Sequence, residues 1–406
     1  MKRKTVIVSI FLVSILAACQ NGNEAAQVLE ATATELPVLE PTPTELPVLE
    51  ATPTDVPESP TPEPPPPDPL PELQRITVDN AGNVQLIRTF QIPNFSTSYT
   101  RGQCSTSFSP NGNFVAGVCI KNRIPLWDLD TGLLVREHAN AIKNEITCTF
   151  DPAGETLVTA GFGPNISFWN LASGDRVERL GDYDDPVWDV DFSPDGRMLA
   201  SVTLDWDAML SNPPDDESLR DIQMWDVASG EQIWTVKQGV NFSLSVDFHP
   251  NGEIIAVGKT RGDVYIHDAA TGNELYTFNT VPGWPNPGAG NIGDLAYSPT
   301  GRLLAAGSDD DKIWIWETGN YGLLYNLEGH DSYVNGVVFS ADETFLVSSS
   351  DDSTIGIWNL ATREMLVRLE SHTDTALRVD LNAENTLITS VSWDGTVKLW
   401  GIPASE

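Results

Sequence analysis

Basic residues are scarce in this chain of 406: 23 lysines and arginines stand against 57 aspartates and glutamates, a net charge of −34. No basic stripe gathers anywhere, so binding to DNA, RNA or an anionic lipid surface is disfavoured. Histidine is scarcer still. The five (His138, His249, His267, His330, His372) never fall in a metal-ligand spacing such as His-x-x-x-His. The acidic runs "SDDDK" (Ser308 to Lys312) and "DYDD" (Asp182 to Asp185) lack EF-hand spacing and read as solvated turns. No metal and no cofactor is expected. Long apolar runs are missing too: the one near the start, Thr5 to Leu16, falls short of the ~20 apolar residues a spanning helix needs. Cysteine occurs only at positions 19, 104, 119 and 148. "GAGNIG" (Gly288 to Gly293) fits a dinucleotide fingerprint as text, but it sits in a proline-rich loop with no helix to meet a pyrophosphate.

What is present divides the chain in three. Residues 1–18 read as a signal peptide: Lys2, Arg3 and Lys4, then the short apolar run, then Ala17 and Ala18. The signal ends in "LAAC", Leu16 to Cys19, which resembles the lipobox of bacterial lipoproteins. That resemblance implies lipid on Cys19 and an extracytoplasmic protein anchored to a bacterial membrane. An ordinary secretory signal that contains a cysteine is the alternative. Residues 19–73 then form a tether with near-copies ten residues apart, "ATATELPVLE", "PTPTELPVLE", "ATPTDVPESP" and "TPEPPPPDPL". Proline fixes φ and removes donors while the acidic residues repel one another, so an extended spacer is expected there. The tether holds −11 and the leader +3, which leaves −26 of the −34 on residues 74–406.

From residue 84 onward one pattern recurs: strand, turn, strand, turn, then a strand ending in an aromatic and a polar residue. The turns read "FSPNG", "FDPAG", "FSPDG", "FHPNG", "YSPTG", "FSADE" and "LNAEN". The third strands end in Trp127, Trp169, Trp225, His267, Trp316, Trp358 and Trp400, at steps of 42, 56, 42, 49, 42 and 42. A period of this size with several short strands per unit is the signature of a propeller. It resembles the WD-repeat family over nearly all of 84–402, and seven units imply an all-β, seven-bladed β-propeller. The long steps locate insertions of 14 residues in blade 3, in "LDWDAMLSNPPDDES", and of seven before blade 5, in "VPGWPNPGAGNIG".

Seven sets of the three inner strands are present, yet only six outer strands follow them. The seventh is at the front, where "QLIRTF" (Gln85 to Phe90) is similar to "MLVRLE" (Met365 to Glu370). The family resemblance implies that this N-terminal strand pairs with the last blade, around Thr396–Trp400, and closes the ring. Closure also removes an edge that would invite aggregation.

Blades 6 and 7 keep the family's internal set: His330, Ser348, Asp352 and Trp358, and His372, Ser390, Asp394 and Trp400, with His 28 and Asp six residues before Trp. The resemblance puts the imidazole between Asp and Ser, with Ser bonded to the indole, so this is a buried structural array rather than a catalytic triad. Blade 4 has Arg261, and blade 1 Lys121, where the Asp belongs. "RGD" (Arg261 to Asp263) reads as the turn expected at that place. Cys104 and Cys119 flank the "SPNG" turn, so a cross-strand disulfide and a pair of reduced core residues are both open readings, with Cys148 left over.

In the WD-repeat family the loops at one end of the axis form a binding face. Here that face would collect Trp206, Trp284, Tyr333 and Trp393, with Asp185, Asp309 and Asp351 beside them. The expected function is a membrane-anchored, monomeric, non-enzymatic scaffold that binds a protein or peptide. The alternatives are a cell-wall or glycan binder and, third, a propeller hydrolase or oxidoreductase.

Overall fold

The computed structural model describes residues 68–404 except 94, 96–102, 120–122, 140–144, 164, 182–184, 204–221, 238–242 and 280–289. Asp68–Glu406 form one compact unit, whose described part holds seven antiparallel sheets. The innermost strands of blades 1 to 7 are Cys104–Phe108, Glu145–Phe150, Val187–Phe192, Ser243–Phe248, Ile292–Tyr297, Val334–Phe339 and Ala376–Leu381. Each chain segment then steps outward; in blade 6 through Phe345–Ser350, Thr354–Asn359 and Glu364–Glu370. Blade 7 adds Leu387–Ser392 and Thr396–Pro403, then takes its outer strand from the front of the chain. Gln85–Gln91 pairs with it from Gln85↔Gly401 to Gln91↔Thr396. Leu73–Gln74 continues that outer edge against Ile402 and Pro403. The molecule is a seven-bladed β-propeller closed by its N-terminal strand.

The turns explain themselves chemically. In "SPDG" the Ser193 hydroxyl accepts the Met198 amide at 2.9 Å, and Ser109, Ser298 and Ser340 do the same for Phe114, Leu303 and Phe345. The chain then needs one residue at positive φ, a conformation glycine adopts without a Cβ clash. Gly196 supplies it at φ 71, while in blades 6 and 7 Glu343 and Asn385 hold the same place at φ 54 and 56.

Blades pack face to face. Val158, Ala160, Ile166 and Phe168 of blade 2 meet Val187, Val190 and Phe192 of blade 3 in one cluster. Between blades 6 and 7 the cluster also takes in Ile76, Ala81 and Val84 from the segment before the closing strand. Every outer ladder shifts register beside its marker residue, at Arg176/Glu178 in blade 2 and equivalently in the other six. Residues skipped there include Val135, Val177, Ile233, Leu275 and Leu324, all exposed. A bulge twists an edge strand away from intermolecular pairing, which offsets the hazard of apolar side chains on an open edge.

Candidate functional site

Three polar systems stand out: an array inside each of blades 6 and 7, a ring of carboxylates at the axis, and the loops at the end of the axis where the innermost strands begin.

In blade 6 His330 Nδ1 lies 2.8 Å from Asp352 and Nε2 2.7 Å from the Ser348 hydroxyl, which accepts the Trp358 indole N–H at 2.8 Å. Blade 7 repeats these distances with His372, Asp394, Ser390 and Trp400. Thr354 and Thr396 each donate to the Asp at 2.6 Å. Burial alone would raise the two carboxyls. The histidine's hydrogen bond and charge, with the threonine hydroxyl and a backbone N–H, reverse this and hold both far below the usual range. Burial lowers His372, which favours the neutral ring. Every donor then points one way along the chain: indole to serine, serine to imidazole, imidazole to carboxylate. Ser348 and Ser390 are fully buried, so neither hydroxyl is presented to a substrate.

The other blades keep fragments. Trp169 donates to Thr159 at 2.9 Å and Trp225 to Ser201 at 3.2 Å. In blade 4 His267 stands at the marker position, fully buried, with Nδ1 3.0 Å from the Gly272 carbonyl. Blade 2 holds a residue the sequence reading missed. Glu145 is buried at the start of its inner strand, one oxygen bonded to Thr159 and Oε2 without a partner. Burial pushes its carboxyl up to about 8, so it is a neutral acid at pH 7.

The axis was also missed. An innermost strand is a sheet edge, and its axis-facing N–H groups have no ladder partner. Aspartates of one blade take up amides of the next. Asp189 and Asp191 of blade 3 accept Val246 and Phe248 at 3.1 and 2.7 Å. Asp247 of blade 4 accepts Tyr297 at 2.6 Å, Asp294 of blade 5 accepts Val337 at 3.0 Å, and Asp380 of blade 7 accepts Phe108 at 2.8 Å. Arg378 of blade 7 reaches Asp294 of blade 5 and comes within 3.8 Å of Asp189 of blade 3, so its guanidinium lies across the axis. Burial raises Asp191 to about 7 and Asp380 to about 6, and holds Asp247 well above the carboxylate range. The signal was present in "DFSPDG" and "DFHPNG", where an aspartate precedes the aromatic.

At the loop end the expectations need correction. Trp393 is only 8% exposed and so offers no open ring; its amide ties to Thr375 O. Tyr333 is half-buried, packed where a Cβ on Gly293 would touch its hydroxyl. Asp309 accepts the Gly290 amide and, at 2.9 Å, Asn291 Nδ2, which clips the end of the blade 5 insertion; burial pushes its carboxyl up to about 7. Asp351 accepts Asn335 Nδ2 at 2.8 Å. Asp185 is partly exposed. Trp393, Tyr333, Asp309 and Asp351 are therefore part of the scaffold's own bonding, Tyr333 through its carbonyl, which accepts the Asp351 amide at 2.9 Å. Trp206 and Trp284 lie outside the described residues, as does Cys19. Cys104 is disulfide-bonded, and its backbone stands opposite Cys119. Cys148 is free and buried, its thiol pushed up to about 12 by burial. Blade 1 is also the one blade whose inner ladder runs without a register shift, from Cys104↔Cys119 to Phe108↔Val115. Among the described residues no group of His, Cys, Asp and Glu suits a metal ion.

With this geometry the model of the WD domain, G-beta repeat, matches residues 174–210, 279–317, 322–359 and 363–401. Those four stretches match WD40 repeats. The propeller is 23% identical over 250 residues to a guanine nucleotide-binding protein subunit beta of Oryza sativa subsp. indica, covering 58% of this chain and 63% of the relative. It is 34% identical over 129 residues to the 77 kDa echinoderm microtubule-associated protein of Lytechinus variegatus, covering 31% of this chain and 18% of the relative. A third relative, the meiotic recombination protein rec14 of Schizosaccharomyces pombe, is 26% identical over 163 residues, 40% of this chain and 47% of its own. The chain thus spans less than two thirds of each.

Proposed function

We propose that this WD40 propeller is an extracytoplasmic scaffold, held to a bacterial membrane by lipid on Cys19, that binds a protein or peptide on its loop face without catalysis. The observation that carries the reading is where the tether joins. Thr396–Pro403 runs in the same direction as the innermost strand Ala376–Leu381. Its far end, Ile402 and Pro403, is where Leu73–Gln74 pairs, and Ala404 donates to the Glu72 carbonyl at 2.7 Å. Leu73–Gln74 therefore lies at the end of the axis opposite the starts of the innermost strands, and an anchor that holds the chain from that side leaves the loop face open on this reading.

Other features agree. The disulfide at Cys104 suits an oxidising compartment. The serine hydroxyls of the two buried arrays are already taken up by His and Trp. The relatives include a subunit and a microtubule-associated protein, proteins that work in company. The charge of −26 on residues 74–406 favours a basic partner.

The test captures partners from an envelope extract with the full chain, a Trp206→Ala/Trp284→Ala variant, and Arg197→Ala, which alters the turn at the opposite end. A partner lost with the tryptophan pair and kept by Arg197→Ala is the expected result. Equal capture by all three overturns the loop-face assignment, and capture of wall polysaccharide in place of protein replaces it with glycan binding. Cys19→Ser should move the chain from the membrane to the soluble fraction; a chain that stays membrane-bound overturns the lipid anchor.

A further inference from the structure

The axial carboxylates are not evenly spread. Blade 3 contributes Asp189 and Asp191, blade 4 Asp247 and blade 5 Asp294, whereas blades 1, 2 and 6 place Ser107, Thr149 and Val338 at the position Asp191 and Asp247 occupy, directly before the aromatic. Asp191 and Asp247 each have one oxygen on an amide of the following blade, at 2.7 and 2.6 Å. Together they therefore link blades 3, 4 and 5 in series. The charged and titratable groups acting on them are Asp189 and Asp294, with Tyr297 beside Asp247. The axial cation Arg378 is committed elsewhere, since it pairs with Asp294 and faces Asp189.

We propose that Asp191 and Asp247 form a proton-held joint between blades 3, 4 and 5, closed while at least one of the two carboxyls is protonated and loosened when both are ionised. A neutral carboxyl still offers its carbonyl oxygen to the amide, so protonation keeps the link. Ionising both places two unneutralised charges in a buried space, where their repulsion is poorly screened. Burial raises both groups, with the Asp191 charge the next cause for Asp247. A group raised on folding contributes stability that is fully present below its unfolded value near 4 and is lost as pH rises through its folded value. The joint therefore loosens above about pH 7, once Asp191 has given up its proton and the raised Asp247 follows. Blades 3 and 5 carry the two insertions, so on the loop-face reading above the joint sets their spacing. The joint itself does not depend on that reading.

Native-state hydrogen exchange on the full chain tests it, with rates corrected for base catalysis. Protection of the Phe248 and Tyr297 amides should fall by about tenfold or more between pH 6 and pH 8.5. The Val337 amide is the internal control, because its acceptor Asp294 is neutralised by Arg378, and its protection should stay level. Asp247→Asn keeps an oxygen for Tyr297 and removes one charge, so the pH dependence should flatten at both amides. Asp191→Asn should do the same and serves if the first variant folds poorly. Phe248 and Tyr297 amides as indifferent to pH as Val337, or an unchanged dependence in either folded variant, would overturn the joint whatever partner binds the loop face.

Discussion

Blades 6 and 7 and blades 2 and 3 have the same strands and the same turns, but they are held together differently. In the later pair a buried His–Asp–Ser–Trp array runs through the sheet, and Ile76, Ala81 and Val84 seal the seam between them. In the earlier pair one indole bond to Thr159 or Ser201 remains; the Thr147 hydroxyl of blade 2 donates to Asp189 of blade 3 at 3.2 Å, and Asp189 and Asp191 carry the link on to blade 4. The comparison shows that a propeller blade needs its polar atoms satisfied but not by a fixed chemistry. An enclosed carboxylate–imidazole–hydroxyl–indole array gives a strong local bolt within one blade. Axial carboxylates give a link between blades that responds to pH.

The largest break available is at the seam that the bolted half shares with the front of the chain. Deleting residues 84–90 takes the outer strand from blade 7 and leaves Trp400 and Leu399 without their ladder. The expected product is an open ring that aggregates and lacks a cooperative melt; scanning calorimetry with size-exclusion chromatography checks both. A monomeric, cooperative melt would show that closure is dispensable.

A smaller break compares the bolts themselves. His372→Ala strands Asp394 and Ser390 inside blade 7, and leaving a buried polar group without its hydrogen-bond partner costs about 1–3 kcal/mol, more for a charged carboxylate. Ser201→Ala removes the neutral bond that Trp225 donates in blade 3, at a cost of about 1 kcal/mol. Urea denaturation of the two variants should give that order. Equal losses would mean that the array does no more for its blade than the fragment does.

Some of this was readable from the residues alone, for a physical reason. Strand number and blade number follow from a hydrophobic period that each unit must repeat to bury its face, so the marker at Trp358 or Trp400 could be counted, and the missing outer strand with it. The closing strand's likeness to Met365–Glu370 followed from the same alternation. The spacing of His372, Ser390, Asp394 and Trp400 could likewise be seen. What could not be seen is direction in space. Asp191 and Asp247 look like ordinary polar residues beside a turn until the ring brings the free edge of the next blade to them. Trp393 reads as an exposed loop aromatic, yet the ladder places its amide on Thr375 and buries the ring. Arg378 gives no hint in sequence that it reaches across to blades 5 and 3.

Glu145 sharpens the comparison from the weaker side, because blade 2 keeps a proton where blade 6 keeps an imidazole. Its carboxyl lies near 8 when folded, against about 4.5 for an unhindered glutamate. The sign follows directly: stability from Glu145 is fully present below its unfolded value and is lost as pH rises through about 8. Asp352 and Asp394 act in the opposite sense, stabilising above about pH 4 and losing that contribution as pH falls toward their depressed folded values. Glu145→Gln retains an oxygen that accepts from Thr159 and cannot ionise. It should leave the urea midpoint near pH 6 almost unchanged, raise it relative to the parent above pH 8, and not alter the acid limb set by blades 6 and 7. A parent and variant that decline together between pH 7 and pH 9 would place the alkaline sensitivity at the axis alone and leave Glu145 a passive filler of blade 2.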